Sequence, residues 1–465
     1  MTMALRVFYI LVFLYYSLDM ILPIKAEIFN SMPFFNRSIR LLCNGFFIAY
    51  IIEQIINFKK GKFVNVNRHI WWLVAFLVCA TISCFYNKEY DLSSNLKWVK
   101  WYAVFFSIFL TINNKVTLKD NVNTFLIVSD VIIAIGAIGC FWSLSQFATS
   151  YSNCIIIDGK TMPQGIVGNR LYGVYYNPNL YAIFAFVSIF LSCILFKFRK
   201  NKIAKFCYFI SIICYYFILL LTGSRASLYS FMIVVGLISA FYCNRVIIKN
   251  KFSKIIFLLI AGILSVSLFF GISSIVKKGL FYLPYCYQKI VCYSKGDFAT
   301  QQELVSQNPL ERPAFTLSSR DIIWKEYLEI WKTSPWFGIG PENSVAIAKE
   351  RLDNNALIVR REFAPHNEFL YLLVSVGMLG VIPFIVWFWG TIIDIVKFLY
   401  NNRNIDSSYW FLLRMITCIV VYFICSGIVE NIVFRDGSSG TWFTYVFFFV
   451  LGNIVYLCNQ DDKSL

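Results

Sequence analysis

The sequence predicts an all-α fold: a polytopic membrane bundle of about twelve spanning helices with one large, partly helical external loop. Three observations predict it. Hydrophobic residues make up 58% of the 465-residue chain against 14% charged, and mean hydropathy is +0.65. Apolar runs of about 20 residues recur along the chain, and such a run crosses hydrocarbon only as a helix that satisfies its own backbone. The short alternating segments that mark a transmembrane β-barrel do not occur in the sequence.

Taken in order, the candidate spans lie near 7–24, 39–57, 70–86, 96–112, 124–147, 174–196, 203–222, 226–243, 254–276, 367–396, 408–428 and 440–458. The first, MTMALRVFYILVFLYYSLDMILPI, lacks a small-residue cleavage site and is followed by further spans, so it reads as a helix and not as a signal peptide. The most basic short connections are FKKGKFVNVNR (58–68), KFRKNKIAK (197–205) and RVIIKNKFSK (245–254), and all fall on one side of this count. Basic loops stay inside, so that side, with both termini, is cytoplasmic. The same distribution accounts for the net charge of +17 without nucleic acid as a partner.

The turn TGSRAS and the segments 148–173 and 277–365 then face outward. Residues 277–365 far exceed an ordinary connection and divide the chain into 1–276 with nine spans, the loop itself, and 366–465 with three. Inside the loop, SSRDIIWKEYLEIWKTSPWFGIGPENS places Ser318 three residues before Asp321, a helix-start signature. Ile323, Tyr327, Ile330 and Trp331 follow at helical spacing, Trp324 and Leu328 widen that face, and Pro335 and Gly338 end the run. It reads as an amphipathic helix against the outer membrane-facing surface. Most of the 14 cysteines fall inside spans and act there as small apolar residues. Cys286 and Cys292 lie in the external loop, where sequence spacing leaves their pairing open.

Candidate chemistry gathers at the outward ends of helices. Arg225 follows Gly223, which permits a tight turn, and opens a helix whose N-terminus points outward. Exposed N–H groups, the helix dipole and a guanidinium make an anion site, although an arginine there also snorkels to the interface. Arg320 sits near the start of the loop helix and would add a second fork-shaped donor, whereas Lys277, Lys278 and Arg312 read as an ordinary charged loop. One of only two histidines, His366, follows Pro365 where the tenth span begins. An imidazole there can take up a proton near neutral pH as a general base does, or simply wet its polar edge at the interface. His69, beside Trp71 and Trp72 on the inner side, takes the interfacial reading. In VGNRLYGVYYNPNLYAIFAF, Gly168, Gly173 and Pro178 shape an outer loop, and Asn177 and Asn179 either bind sugar hydroxyls or cap the next helix. The two histidines are far apart in topology and no outward acidic cluster is seen, so no metal site is supported. With no Walker-type or Rossmann glycine motif, nucleotide hydrolysis is not supported either.

The segments GNRLYGVYYNPNLYA, LTGSRASL, SSRDIIWKEYLEIWKTSPWFGIGPENS and PHNEFLYLLVSVGMLG, in that order, resemble the O-antigen ligase/polymerase family of bacterial membrane proteins. The last carries a His-Asn pair, nine residues, then Gly377 and Gly380 separated by two residues. The resemblance covers roughly residues 165–390 by motif and the remainder by architecture. It implies a GT-C-like, metal-independent glycosyltransferase without a cofactor, acting on the outer face of the cytoplasmic membrane. Its donor would be an undecaprenyl-pyrophosphate-linked oligosaccharide and its acceptor a glycan or glycolipid hydroxyl, with a chain-length regulator and a flippase as companion proteins. By the match, Arg225 and Arg320 hold the pyrophosphate, and His366 orients or deprotonates the acceptor for inverting attack. Asn177, Asn179, Ser224, Trp324, Asn367 and Glu368 complete the implied substrate-binding set.

Polymerase and ligase remain open. Richness in Phe, Ile, Asn, Lys and Tyr suggests an AT-rich genome and leans towards a polymerase of capsule or O-antigen. A polysaccharide transporter is disfavoured, because it would place charges at mid-membrane in two related halves. Here the internal acids, such as Asp19 and Glu53, are few and scattered.

Overall fold

The computed structural model describes residues 2–29, 33–59, 69–111, 117–157, 160–243, 251–295, 320–401, 407–434 and 441–459. Each of the twelve apolar runs is helical. They form α1 (Thr2–Asp19), α3 (Pro33–Lys59), α4 (Ile70–Tyr86), α5 (Leu92–Thr111), α6 (Leu118–Ala148) and α7 (Pro178–Phe198). After these come α8 (Lys202–Leu221), α9 (Arg225–Cys243), α10 (Lys251–Lys295), α14 (Glu368–Asn401), α15 (Ser408–Gly427) and α16 (Thr441–Cys458). A short α2 (Leu22–Ile24) and a π-helical turn, Lys25–Phe29, follow α1, and α11 (Arg320–Trp331), α12 (Ser344–Arg351) and α13 (Leu357–Arg361) lie between α10 and α14.

Eight of these helices are long and apolar enough to cross a membrane, and the chain is a multi-pass membrane protein. The other four are α1, α3, α4 and α5. The first helix carries Arg6, Ser17 and Asp19, α3 carries Arg37, Arg40 and Glu53, and α5 opens on Ser93, Ser94, Asn95 and Lys97. Those polar side chains interrupt the apolar runs of α1, α3 and α5, and α4 has only 17 residues.

Burial sorts the helices. In α16 and α7, 89% and 78% of the apolar window is buried within the protein, while in α10 none of it is. A helix apolar all round fits a core, and α16 and α7 fill that place. Phe184 of α7 meets Trp442 of α16 with ring centroids 4.8 Å apart, and α6 reaches the same core through Phe125 on Phe449 at 5.6 Å. At 45 residues, α10 is about 68 Å long, roughly twice the hydrocarbon thickness. It therefore continues helically into residues read from sequence as external loop. Cys286 lies on it as a free, exposed thiol, and the Cys292 side chain, with Ser318 and Arg312, falls outside the described residues.

Alternate crossing gives the bundle two polar ends. At one, Arg6 pairs with Asp120 at 3.6 Å, His69 Nε2 meets Asp394 at 3.2 Å, and Asn121 bonds Asn453 at 3.2 Å. His69 is thus more than an interfacial ring: it joins the start of α4 to the end of α14. At the other end two features depart from a purely helical plan. Three strands form an antiparallel sheet in the order β1 (Ser152–Ile157), β2 (Lys160–Val167) and β3 (Arg170–Gly173). Between β2 and β3, Val167 pairs with Arg170, and Gly168 and Asn169 both take positive φ (56° and 60°). That is the two-residue hairpin turn whose twist suits paired strands.

The loop helix α11 does not lie free on a membrane surface. Ile323, Tyr327 and Ile330 bury into a second core with Ile339, Ile347, Ile358 and Val374, while Leu328 stays exposed. The segment after α11 docks on α14, which breaks at Gly377 (φ 65°, ψ −175°). Ile339 N–H donates to the Val374 carbonyl at 2.9 Å and Gly340 N–H to Ser375 at 3.0 Å. In return, Met378 N–H donates to Pro335 at 2.9 Å and Leu379 N–H to Trp336 at 3.1 Å. The break frees α14 carbonyls and N–H groups, and the loop backbone satisfies them. A Cβ at Gly377 would collide with the Trp336 carbonyl. This explains why the motif needs glycine at that distance from His366.

Candidate active site

Glu430 is the hub of the second polar end. It follows α15, and its carboxylate is buried. One oxygen, Oε1, accepts from Arg320 Nη2 and from Asn179 Nδ2, each at 2.6 Å. The other, Oε2, faces His366 Nδ1 at 3.0 Å. A carboxylate only accepts, so Nδ1 is the protonated ring nitrogen and Nε2 of a neutral imidazole is left with its lone pair. A buried anion surrounded by charge-assisted donors is held far more firmly than a surface ion pair.

Each partner arrives from a different element. Asn179 stands in the first turn of α7, whose N-cap is Asn177, with its side chain accepting Asn179 N–H at 2.7 Å. Arg320 is the first residue of α11. His366 lies just before α14 with φ 50°, a left-handed conformation costing about 1 kcal/mol for a residue with a Cβ. Neighbours hold it there. Trp324 Nε1 of α11 donates to the Pro365 carbonyl at 2.8 Å, and Asn367 N–H donates to Asn431 Oδ1 at 2.5 Å.

The loop carrying Glu430 is fixed by its own backbone. Glu368 accepts the N–H groups of Ile432, Val433 and Phe434. Tyr102 and Thr444 hydroxyls donate to the Val433 carbonyl, both at 2.8 Å, and Trp98 Nε1 donates to that of Phe434 at 3.2 Å.

The residues singled out from sequence thus take several places. His366, Arg320 and Asn179 meet around Glu430. Asn177 caps α7, Asn367 accepts Leu370 N–H at the start of α14 at 3.0 Å, and Glu368 is committed to the Glu430 loop. Trp324 ties α11 to the residue before His366. Ser224 caps α9, its hydroxyl accepting Ser227 N–H at 3.4 Å. Arg225, half-buried, opens α9 just after Gly223 (φ 61°). The turn before it is reached by Arg170, whose Nε donates to the Thr222 carbonyl at 2.7 Å while Nη2 donates to Asn179 Oδ1.

Glu430 and Arg170 were missed in the sequence. The available signal was an isolated acid at the end of an apolar helix, which is expensive unless partnered. Among the described residues, no three His, Cys, Asp or Glu side chains gather as metal ligands do.

Near the cluster lies a small apolar recess of about 30 Å³ between α14, α15 and α16. Glu368 and Val433 stand at it with Phe384, Phe388, Phe423 and Phe447.

Residues 209–385 match the family model described as O-Antigen ligase. Over that stretch, less than half of its length, the chain is similar to the O-antigen ligase/polymerase family. The match takes in Arg225, Arg320 and His366 and stops before Glu430. The match supports a membrane glycan-processing function of the ligase/polymerase type. No curated protein matches the chain.

Proposed function

We propose that the protein is a GT-C-type inverting glycosyltransferase of the bacterial cytoplasmic membrane, with both termini inside and its active site on the outer face. It moves an oligosaccharide from undecaprenyl pyrophosphate to a hydroxyl of another repeat unit, polymerising a surface polysaccharide such as O-antigen or capsule. The observation that carries this reading is the convergence on buried Glu430 of His366 and Arg320, both of which lie in the family-matched segment.

The chemistry follows from the atoms available. His366 Nε2 takes the proton of the acceptor hydroxyl, whose oxygen forms the new bond to the anomeric carbon from the face opposite the leaving group. The bond from that carbon to the pyrophosphate oxygen breaks, and its electron pair stays on the pyrophosphate. Remaining N–H groups of Arg320, with Arg225 on the neighbouring turn, counter the charge that develops. The proton on His366 then passes to water. Glu430 holds Nδ1–H throughout, which stabilises the imidazolium and keeps Nε2 aimed at the acceptor. No metal takes part in this scheme.

The test is to purify the protein in detergent and supply only the lipid-linked repeat unit of its own strain. A ladder of products is expected. Transfer that appears only with a second glycolipid or protein acceptor would make it a ligase, the reading that the description of the matched family favours. No transfer to any acceptor, with binding of the intact lipid-linked donor unaffected by His366→Ala, would overturn the enzymatic reading.

A further inference from the structure

We infer that Arg170 is a positioning residue of this site, setting the ring tautomer of His366 through Asn179 and Glu430. The inference rests on the catalytic reading of His366 for its consequence, but not for its test.

Arg170 is brought to the site by the sheet. The Gly168–Asn169 turn reverses the chain so that Arg170, the first residue of β3, enters the bundle, where its side chain is buried. Its Nε is held by the Thr222 carbonyl at 2.7 Å, at the C-terminal and therefore negative end of α8. With that bond made, Nη2 reaches Asn179 Oδ1. The Asn179 amide is thereby oriented: its oxygen is taken by an arginine that can only donate, so its nitrogen must face Glu430, where Nδ2 donates to Oε1 at 2.6 Å. Arg320 fills the same oxygen at 2.6 Å. Oε2 is left to the His366 ring nitrogen at 3.0 Å. The bonds thus run in one direction from Arg170 through Asn179 to Glu430, and the histidine responds to the last member.

Removing the first member changes the rest in a definite way. Without a donor on Oδ1, the Asn179 amide can turn and present its oxygen to the carboxylate. Glu430 then loses a donor and shifts, and Nδ1 of His366 is no longer its fixed partner. A lysine cannot reproduce the fork, because one ammonium on a flexible stem does not serve Thr222 and Asn179 in the same geometry. The second consequence concerns the turn before Arg225, which Arg170 steadies through Thr222. Asn179→Ala cuts the route to Glu430 and leaves that tie intact.

The chain has two histidines, so nitrogen-15 histidine labelling of the full-length protein in nanodiscs gives two imidazoles, assigned with His69→Gln. In the wild type, His366 is expected as the Nδ1–H tautomer at neutral pH. In Arg170→Met and Asn179→Ala it becomes a mixture of tautomers while His69 is unchanged, and Arg170→Lys falls between. His69 reports folding in each variant, and Asn179→Ala alone suffices if Arg170→Met loses both signals. A His366 that stays Nδ1–H in Asn179→Ala overturns the inference, whatever the activity of the protein. Where transfer is measured, kcat should fall roughly ten- to a hundredfold with KM for the lipid-linked donor little changed, and the Arg170→Met/Asn179→Ala pair should lose no more than the worse single variant.

Discussion

At the scale of single residues, two buried glutamates near His366 have opposite duties. Glu430 accepts from side chains that face the site, Arg320, Asn179 and His366. Glu368 accepts three backbone N–H groups of the loop that presents Glu430. Glu430→Gln keeps the volume but replaces an acceptor by a donor opposite Arg320 or His366. Transfer should fall on the order of 10²- to 10⁴-fold, the range for losing the group that orients a catalytic histidine, while melting temperature stays close to wild type. Glu368→Ala leaves three buried N–H groups without partners, a cost of roughly 3 kcal/mol, so its main effect should be a lowered melting temperature in detergent. Thermal scans and initial rates on the two variants separate these roles. A Glu430→Gln protein with more than half the normal rate would remove Glu430 from the mechanism.

At the scale of elements, the important feature is the break in α14. Gly377 lets the segment after α11 exchange four backbone hydrogen bonds with α14, so the elements bearing Arg320 and His366 are fastened together away from the site itself. Gly377→Ala introduces a Cβ where the Trp336 carbonyl lies and at a φ of 65°. The docked segment should lift off and α14 should straighten, leaving Arg320 and His366 no longer in register. Limited trypsin digestion would then cut the exposed segment between α11 and α14 several times faster, with activity lost in parallel, and an unchanged digestion pattern would count against this account. The long helices were legible because apolar runs and basic connections are local signals. The four hydrogen bonds at Gly377 were not, because their partners lie about forty residues apart and neither segment has a periodicity that points to the other. The sheet had a local signal that the apolar context concealed: Asp158–Gly159 between Ile155–Ile157 and Lys160–Met162 is a hairpin turn sequence.

At the scale of the whole molecule, the site is assembled from five regions spread over more than half the chain: β3, the start of α7, α11, the start of α14 and the loop after α15. This is why half of it could be read in advance. His366 and Arg320 stand beside motifs with their own turn and helix signals, whereas Glu430 lies 64 residues beyond His366 among apolar neighbours that say nothing of its partners. Only alternate crossing brings these regions to one end and His69 with Asp394 to the other. Sidedness can therefore be tested without any substrate. Cys154 is an exposed thiol on β1 and Cys286 one on α10, and Lys200 is exposed in the basic turn between α7 and α8. In intact cells, or spheroplasts where an outer membrane intervenes, a membrane-impermeant maleimide should label the wild-type protein, and replacing Cys154, Cys286 and Cys292 together by serine should remove most of that signal. With Lys200→Cys added to this triple variant, new labelling should appear only after the membrane is opened. Labelling of Lys200→Cys in sealed cells would turn the bundle over and put His366 and Glu430 on the cytoplasmic side, where a carrier-linked glycan already exported could not reach them.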